Sequence, residues 1–179
     1  MDKAACSSII WDPKVFNGVM QMNENTVIKE FHSSENEYFH PDFHSSMNMG
    51  IEYLGTAHGE KDVKEYLAVF AKNAYKALLD KMKSDPLGAL KKHIEATYAL
   101  EKASDALTLY IEGDTLSVSV SYCPAVKHLR KTGRAVSKWF SYTTEEVMQT
   151  IANELGLHFT MEAYDEETGA AKYSFTKGR

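Results

Sequence analysis

The 179-residue chain is 44% hydrophobic and 25% charged, which predicts one folded domain and excludes a disordered protein. Its 20 basic and 25 acidic residues give a net charge of −5, which argues against a general nucleic-acid binder, because such proteins need a strongly basic face. No stretch approaches the roughly 18 apolar residues of a membrane span, and residues 1–30 lack a signal-peptide pattern. Two cysteines, Cys6 and Cys123, cannot build a disulfide scaffold, so we expect a cytoplasmic protein without a membrane partner.

Residues 1–36 are predicted to form an irregular N-terminal extension. Its short apolar runs are separated by Asp12-Pro13 and Asn17-Gly18, which interrupt any helical or strand period. Trp11 and Phe16 would be costly to expose to water. We therefore expect the extension to pack on the domain or on a second subunit, and we predict a homodimer.

Residues 37–179 are predicted to form an α+β domain that binds a small molecule. Apolar side chains recur at helical spacing within residues 42–103, after Pro41, which suits a first helical turn. One apolar stripe extends from Val63 to Met82. Further along, Asp85-Pro86 is a typical pair of N-cap and first-turn residues. This region is therefore expected to be mostly helical.

The apolar period then changes to two, which predicts β-hairpins at about residues 106–122 and 157–176. Between them, the capping box formed by Thr143 and Glu146 predicts the start of a helix over residues 144–155. Hairpins separated by helices indicate an antiparallel sheet with helices packed on it, and not a βαβ fold.

Charge is divided between two adjacent segments. Cys123–Phe140 contains five basic residues and no acid, whereas Ser141–Ala170 contains seven acidic residues and no base. One interpretation is a basic wall that attracts a carboxylate or phosphate ligand. The other, which we favour, is a pair of solvated faces that could also pair across a dimer.

Cys123 is the most suggestive position for chemistry. It lies where a predicted strand meets Pro124 and a short helix, and the N–H groups of a helix N-terminus favour a thiolate. His128 lies within about two helical turns, and a thiolate beside an imidazole is suited to covalent catalysis. The alternative is a buried structural cysteine.

His40 and His44 are spaced four residues apart at the start of the first predicted helix. On one helix face they could bind a metal, with Cys123 or His128 completing the site. The interpretation we favour is that both are ordinary first-turn residues and that no metal is bound. The common hydrolase, nucleotide and dinucleotide motifs are absent, so we predict no cofactor.

Two segments carry a resemblance to known proteins. Tyr122–Phe140, YCPAVKHLRKTGRAVSKWF, and Phe39–Leu67, FHPDFHSSMNMGIEYLGTAHGEKDVKEYL, are similar to the L-2-amino-thiazoline-4-carboxylic acid hydrolase family and to the wider set of 4-vinyl reductase-type ligand-binding domains. The resemblance covers about residues 37–179. It implies a small-molecule site between helices and sheet, often in a dimer, and for the hydrolases it implies ring opening of a thiazoline by water.

The resemblance and the residues together leave two functions open. As a hydrolase, the protein would use Cys123 to attack the substrate or orient water, and a histidine to move the proton. The candidates are Cys123, His128 and His44 for catalysis, and Lys127, Arg130, Arg134 and His40 for binding a substrate carboxylate. As a non-catalytic binding or sensor domain, it would use the same pocket without turnover. A hydrolase requires the pKa of Cys123 to lie well below about 8.5.

Overall fold

The structure is a computed structural model that describes residues 41–178. Within this range the chain forms six α-helices and one four-stranded antiparallel sheet. The predicted α+β class and both predicted hairpins are confirmed. The predicted extension, its boundary with the domain and His40 lie outside the described residues.

The elements follow the predicted order of helices, hairpin, helices and hairpin. The helices are α1 (Pro41–His58), α2 (Glu60–Ala74), α3 (Lys76–Met82), α4 (Pro86–Leu100), α5 (Pro124–Lys131) and α6 (Tyr142–Glu154). The strands are β1 (Leu107–Glu112), β2 (Thr115–Val120), β3 (Leu157–Tyr164) and β4 (Ala171–Lys177). A short 3-10 turn, Ser104–Ala106, leads into β1. No helix in the described range is long and apolar enough to cross a membrane.

The strand order is β1-β2-β4-β3, so the two hairpins join through β2 and β4. Every second residue of β2 is buried, as the period of two predicted. Val118 lies opposite Leu109 of β1 on one side and Tyr173 of β4 on the other. On the far hairpin, Phe159 lies opposite Phe175. These side chains belong to the face of the sheet that the core covers.

Helices cover that face with their own apolar stripes. Helix α4 packs on β1 and β2, α6 packs on β3, and α2 packs on α6. The carboxylate of Asp85 accepts a hydrogen bond from the N–H of Gly88 at 3.2 Å, which confirms the predicted start of α4. The apolar stripe predicted from Val63 to Met82 is divided at Tyr75, where α2 ends and α3 begins.

The predicted capping box of α6 is wrong. The helix begins at Tyr142, and the preceding residue, Ser141, already has a helical conformation and makes no side-chain cap. The Thr143 hydroxyl donates backwards to the carbonyl of Phe140 at 2.7 Å. The helix follows directly from a tight turn, in which the N–H of Tyr142 donates to the carbonyl of Trp139 at 3.1 Å. Backbone carbonyls therefore satisfy the N–H groups that a cap would serve.

Helix α1 is fixed to the segment after α5 by one buried side-chain amide. Asn48 Nδ2 donates to the carbonyl of Ala135 at 3.0 Å, and Asn48 Oδ1 accepts from the N–H of Ser137 at 2.8 Å. Farther along the helix, Gly55 packs against the indole of Trp139. Helix α1 also contacts α5 directly. The first helix is thereby held beside the element that begins at Cys123.

Candidate functional site

Cys123 is fixed between the start of α5 and the turn that joins β3 to β4. It is the N-cap residue of α5, with Pro124 in the first turn, as the sequence predicted. Its N–H donates to the carbonyl of Thr168 at 2.9 Å. Gly169 has a φ of +68°, and a Cβ there would lie only 2.5 Å from the Cβ of Cys123. A side chain at position 169 would therefore displace Cys123, which is partly buried.

The surroundings of Cys123 favour its thiol over the thiolate. Burial raises its pKa above the ordinary value of about 9, and the carboxylate of Glu101 raises it further. The N–H groups of Val126 and Ala125 favour the thiolate, as expected at a helix N-terminus, but burial outweighs them. No imidazole in the described part of the chain contributes to the shift. The depressed pKa that a hydrolase requires is therefore not present.

Three tyrosines lie close enough to the thiol to interact with it electrostatically, and each comes from a different element. Tyr98 lies on α4, Tyr164 ends β3, and Tyr173 lies on β4. Burial raises the pKa of each hydroxyl, and each interacts electrostatically with Cys123. Tyr173 is 3% exposed. No hydrogen bond from the described residues reaches any of the three hydroxyls.

A carboxylate completes this group. Glu101 follows the last residue of α4 and is 7% exposed. Its charge raises the pKa of both Cys123 and Tyr98. Its Oε1 lies 3.7 Å from Nε2 of His44, which is half-buried on α1. We refer to Cys123, Tyr98, Tyr164, Tyr173 and Glu101 as the Cys123 cluster.

The two predicted catalytic histidines that the structure describes lie on different helices. His44 lies against Glu101, at the edge of the Cys123 cluster. His128 lies in the last turn of α5, five residues after Cys123. Cys123 precedes the helix and has an extended backbone. His128 is not among the groups that shift the pKa of Cys123, which does not support a thiol–imidazole pair.

The three predicted carboxylate-binding bases make contacts on the outside of the domain. The Lys127 ammonium lies 4.6 Å from the centre of the Tyr122 ring. Arg130 donates to the carbonyl of Glu166 at 3.1 Å and lies 3.3 Å from the Glu167 carboxylate. Arg134 donates to the hydroxyl of Ser45 on α1. All three bases are exposed, and the contact of Arg130 pairs the basic segment with the acidic segment within one chain.

Within residues 41–178, no three His, Cys, Asp or Glu side chains are grouped so that they could hold a metal ion. An open groove of about 400 Å³ lies beside the edge strand β1, and it contains none of the predicted site residues. It is lined by Glu95, Ser104, Leu107, Thr108 and Leu109.

Sequence reasoning missed four of the five members of the Cys123 cluster. Tyr98 and Tyr173 follow the apolar periodicity of their elements, a pattern that by itself indicates packing residues. Glu101 carries a signal that could have been used, because an acidic residue at a helix C-terminus is unfavourable next to the helix dipole. An acidic residue at this position therefore indicates a role other than stabilising the helix.

Comparison with known proteins adds no relative. No protein-family model matches the chain, and no curated protein or solved structure is similar to it. The resemblance to the thiazoline-carboxylate hydrolases and 4-vinyl reductase-type domains therefore stays a prediction.

Proposed function

We propose that the domain is a non-catalytic small-molecule-binding domain and that the Cys123 cluster is its binding site. The observation that supports this is that three tyrosines from different elements interact electrostatically with one thiol, while no hydrogen bond from the described residues reaches their hydroxyls. A ligand with hydrogen-bonding groups would pair with these hydroxyls in place of water.

The cluster is partly accessible to solvent. Tyr98, Tyr164 and Cys123 are each only partly buried, and so is His44 at the edge. Tyr173, at the bottom, is almost completely buried. A small molecule could therefore enter from the side formed by α1, α4 and the end of β3. Binding pockets commonly combine this kind of mostly buried, aromatic lining with a few polar groups.

The raised pKa of Cys123 favours this function over the predicted hydrolase. A catalytic thiol must be deprotonated, and a lowered pKa is the usual means of activation. Burial acts in the opposite direction here. Hydrolysis of a thiazoline-like substrate by Cys123, His128 and His44 remains a sequence-based prediction, and the geometry described above does not add to it.

A fragment screen with one matched pair of variants tests the binding function. The full chain is screened by ligand-observed NMR against small aromatic alcohols, amines and acids. For hits at the Cys123 cluster, Tyr173→Phe should weaken binding by about 2- to 10-fold, the effect of losing one hydrogen bond. Tyr110→Phe, on the exposed side of β1, should leave binding unchanged. A screen without hits, or hits unaffected by Tyr173→Phe, would contradict the proposal.

Thiol reactivity tests the choice between binding and catalysis. In the Cys6→Ser variant Cys123 is the only cysteine, so iodoacetamide consumption reports on that thiol alone. We expect alkylation to become half-maximal at a pH above 9, because the pKa of Cys123 is raised. Rapid alkylation that is already complete at pH 7 would support the hydrolase instead.

The homodimer and the cytoplasmic location also stay proposals. Large apolar side chains are exposed on α1 and α2, among them Phe43, Tyr53 and Val69. Exposed apolar side chains grouped on neighbouring helices are typical of protein interfaces. They support a surface for self-association without identifying what covers it.

A further inference from the structure

We propose that the outer edge of β1 pairs with β1 of a second copy of the chain, antiparallel and centred on Leu109. The two four-stranded sheets then form one continuous sheet. This inference rests on the proposed homodimer, to which it gives an interface, and it is independent of the binding function of the Cys123 cluster. Addition of a strand to an open sheet edge is a common mode of protein recognition.

The first support is the direction of the main-chain groups of β1. Within residues 41–178, β1 is an edge strand that pairs only with β2. The N–H of Ser121 donates to the carbonyl of Ala106 at 2.8 Å, so the main chain of Ala106 is turned towards the β2 side. Antiparallel strands alternate between hydrogen-bonded and non-hydrogen-bonded positions. The main-chain groups of Leu107, Leu109 and Ile111 are therefore directed towards the outer edge.

The second support is the space beside this edge. The open groove of about 400 Å³ is lined by Leu107, Thr108 and Leu109, with Ser104 and Glu95 completing its wall. A paired strand lies about 4.8 Å from its neighbour, so it would occupy this groove. The N–H of Leu107 donates to the carbonyl of Ser104, which leaves the carbonyl of Leu107 for a partner strand.

The third support is the difference between the two edges of the sheet. Strand β3 has a β-bulge between Met161 and Ala163, and the charged Glu162 is the extra residue. Bulges and charged side chains are the means by which proteins prevent edge strands from pairing. All six residues of β1 are in regular register with β2, and the only charged one is Glu112, at the end of the strand. Strand β1 therefore lacks the protection that β3 has.

The fourth support is that β1 is complementary to itself. In the register centred on Leu109, Leu107 lies opposite Ile111 of the copy, and Thr108 lies opposite Tyr110. Only this register places the three core-face residues of β1 opposite one another, as a continuous core requires. Ile111 is 41% exposed and Tyr110 is 55% exposed in the single chain, and the second strand would cover part of both.

Two variants with charges at the same two positions test the pairing. Thr108→Lys with Tyr110→Lys brings like charges opposite each other, whereas Thr108→Lys with Tyr110→Glu brings opposite charges together. We expect the like-charge variant of the full chain to associate at least about 10-fold more weakly than the wild type in sedimentation equilibrium. The opposite-charge variant should stay within about 3-fold of the wild type. General repulsion predicts the reverse order, because the like-charge variant is the less negative of the two.

The other edge of the sheet supplies the matched control. His158→Lys with Thr160→Lys places the same two charges on exposed positions of β3 and should leave association unchanged. Thermal melts establish that all three variants fold.

Amide hydrogen exchange locates the contact in the wild type. The N–H groups of Leu109 and Ile111 would be hydrogen-bonded across the dimer, so their protection should rise with protein concentration. The N–H of Ser121 is bonded within the chain, and its protection should not depend on concentration.

The outcomes separate this inference from the homodimer on which it rests. A dimer that the like-charge variant leaves intact, or that the opposite-charge variant loses, would overturn the inference and leave the homodimer with another interface. Protection of Leu109 and Ile111 that is equal at every concentration would also overturn it, because another segment of the same chain would then cover the edge. A wild type that is monomeric throughout would overturn the homodimer as well.

Discussion

Two glycines of α1 allow the contact between this helix and Trp139 to be tested. Gly55 makes the contact, and Gly50 serves as the control. Gly50 and Gly55 both lie inside the helix, but their surroundings differ. A Cβ at Gly50 would meet no atom within 4 Å. A Cβ at Gly55 would lie 2.6 Å from three atoms of the Trp139 indole, Cδ2, Cε2 and Cε3. Trp139 is 8% exposed and has little space into which it can move.

The two alanine variants share one energetic contribution and differ in another. Alanine in place of an interior helix glycine raises the free energy of unfolding by roughly 0.5–1 kcal/mol, and both variants gain this. Only Gly55→Ala forces an additional atom into a packed region, which costs about 1–3 kcal/mol. Gly50→Ala should therefore be more stable than the wild type. Gly55→Ala should be about 1–3 kcal/mol less stable than Gly50→Ala, because the shared gain cancels.

Urea unfolding of the full chain, followed by circular dichroism at 222 nm, measures the free energy of unfolding of both variants. Trp139→Leu, introduced into each variant, should reduce the difference, because the smaller side chain leaves space for the new methyl group. A difference below about 0.5 kcal/mol between Gly55→Ala and Gly50→Ala would refute the contact between α1 and Trp139.

Two further predictions concern alkaline pH and association. Burial raises the pKa of Cys123 and of the three cluster tyrosines, so the folded state retains these protons more firmly than the unfolded state. Their contribution to stability is present below the unfolded pKa values of about 8.5 and 10, and it is lost as the pH rises through the folded values. The urea midpoint should fall from about pH 9 upwards, less steeply in Tyr173→Phe. An unchanged midpoint up to pH 11 would contradict this. For association, sedimentation equilibrium should give twice the chain mass of 20.1 kDa, and removal of residues 1–35 should weaken the dimer. A full chain that sediments as a monomer would contradict the prediction.

Local signals were sufficient for most of the fold. The change of apolar period near residue 106 predicted where helices give way to hairpins, because side-chain spacing follows backbone geometry directly. Asp85 marked the start of α4 for an equally local reason. The capping box at Thr143 failed because the preceding turn supplied backbone acceptors, which residue types do not reveal.

The candidate site could be predicted only in part. Cys123 and the helix that starts after it were visible in the sequence, since Pro124 marks a helix start. The partners of Cys123 come from α4, β3 and β4, and their approach depends on tertiary structure. The sign of the pKa shift also depends on burial, which exceeds the local effect of the helix N-terminus. The spacing of residues in the sequence does not show which of these two effects on the pKa of Cys123 is larger.

The pairing of β2 with β4 has a consequence for the site as well as for the core. Each hairpin can align its own strands through a short turn, but residues 121–170 separate these two central strands. A slip by one residue would turn either Val118 or Tyr173 towards solvent, and is strongly opposed. A slip by two residues would keep both side chains on the core face, yet would shift Tyr173 by about 7 Å relative to Val120 and the cysteine that follows it. The alignment of one strand pair, together with the Cys123–Thr168 hydrogen bond, thus sets the distances within the Cys123 cluster.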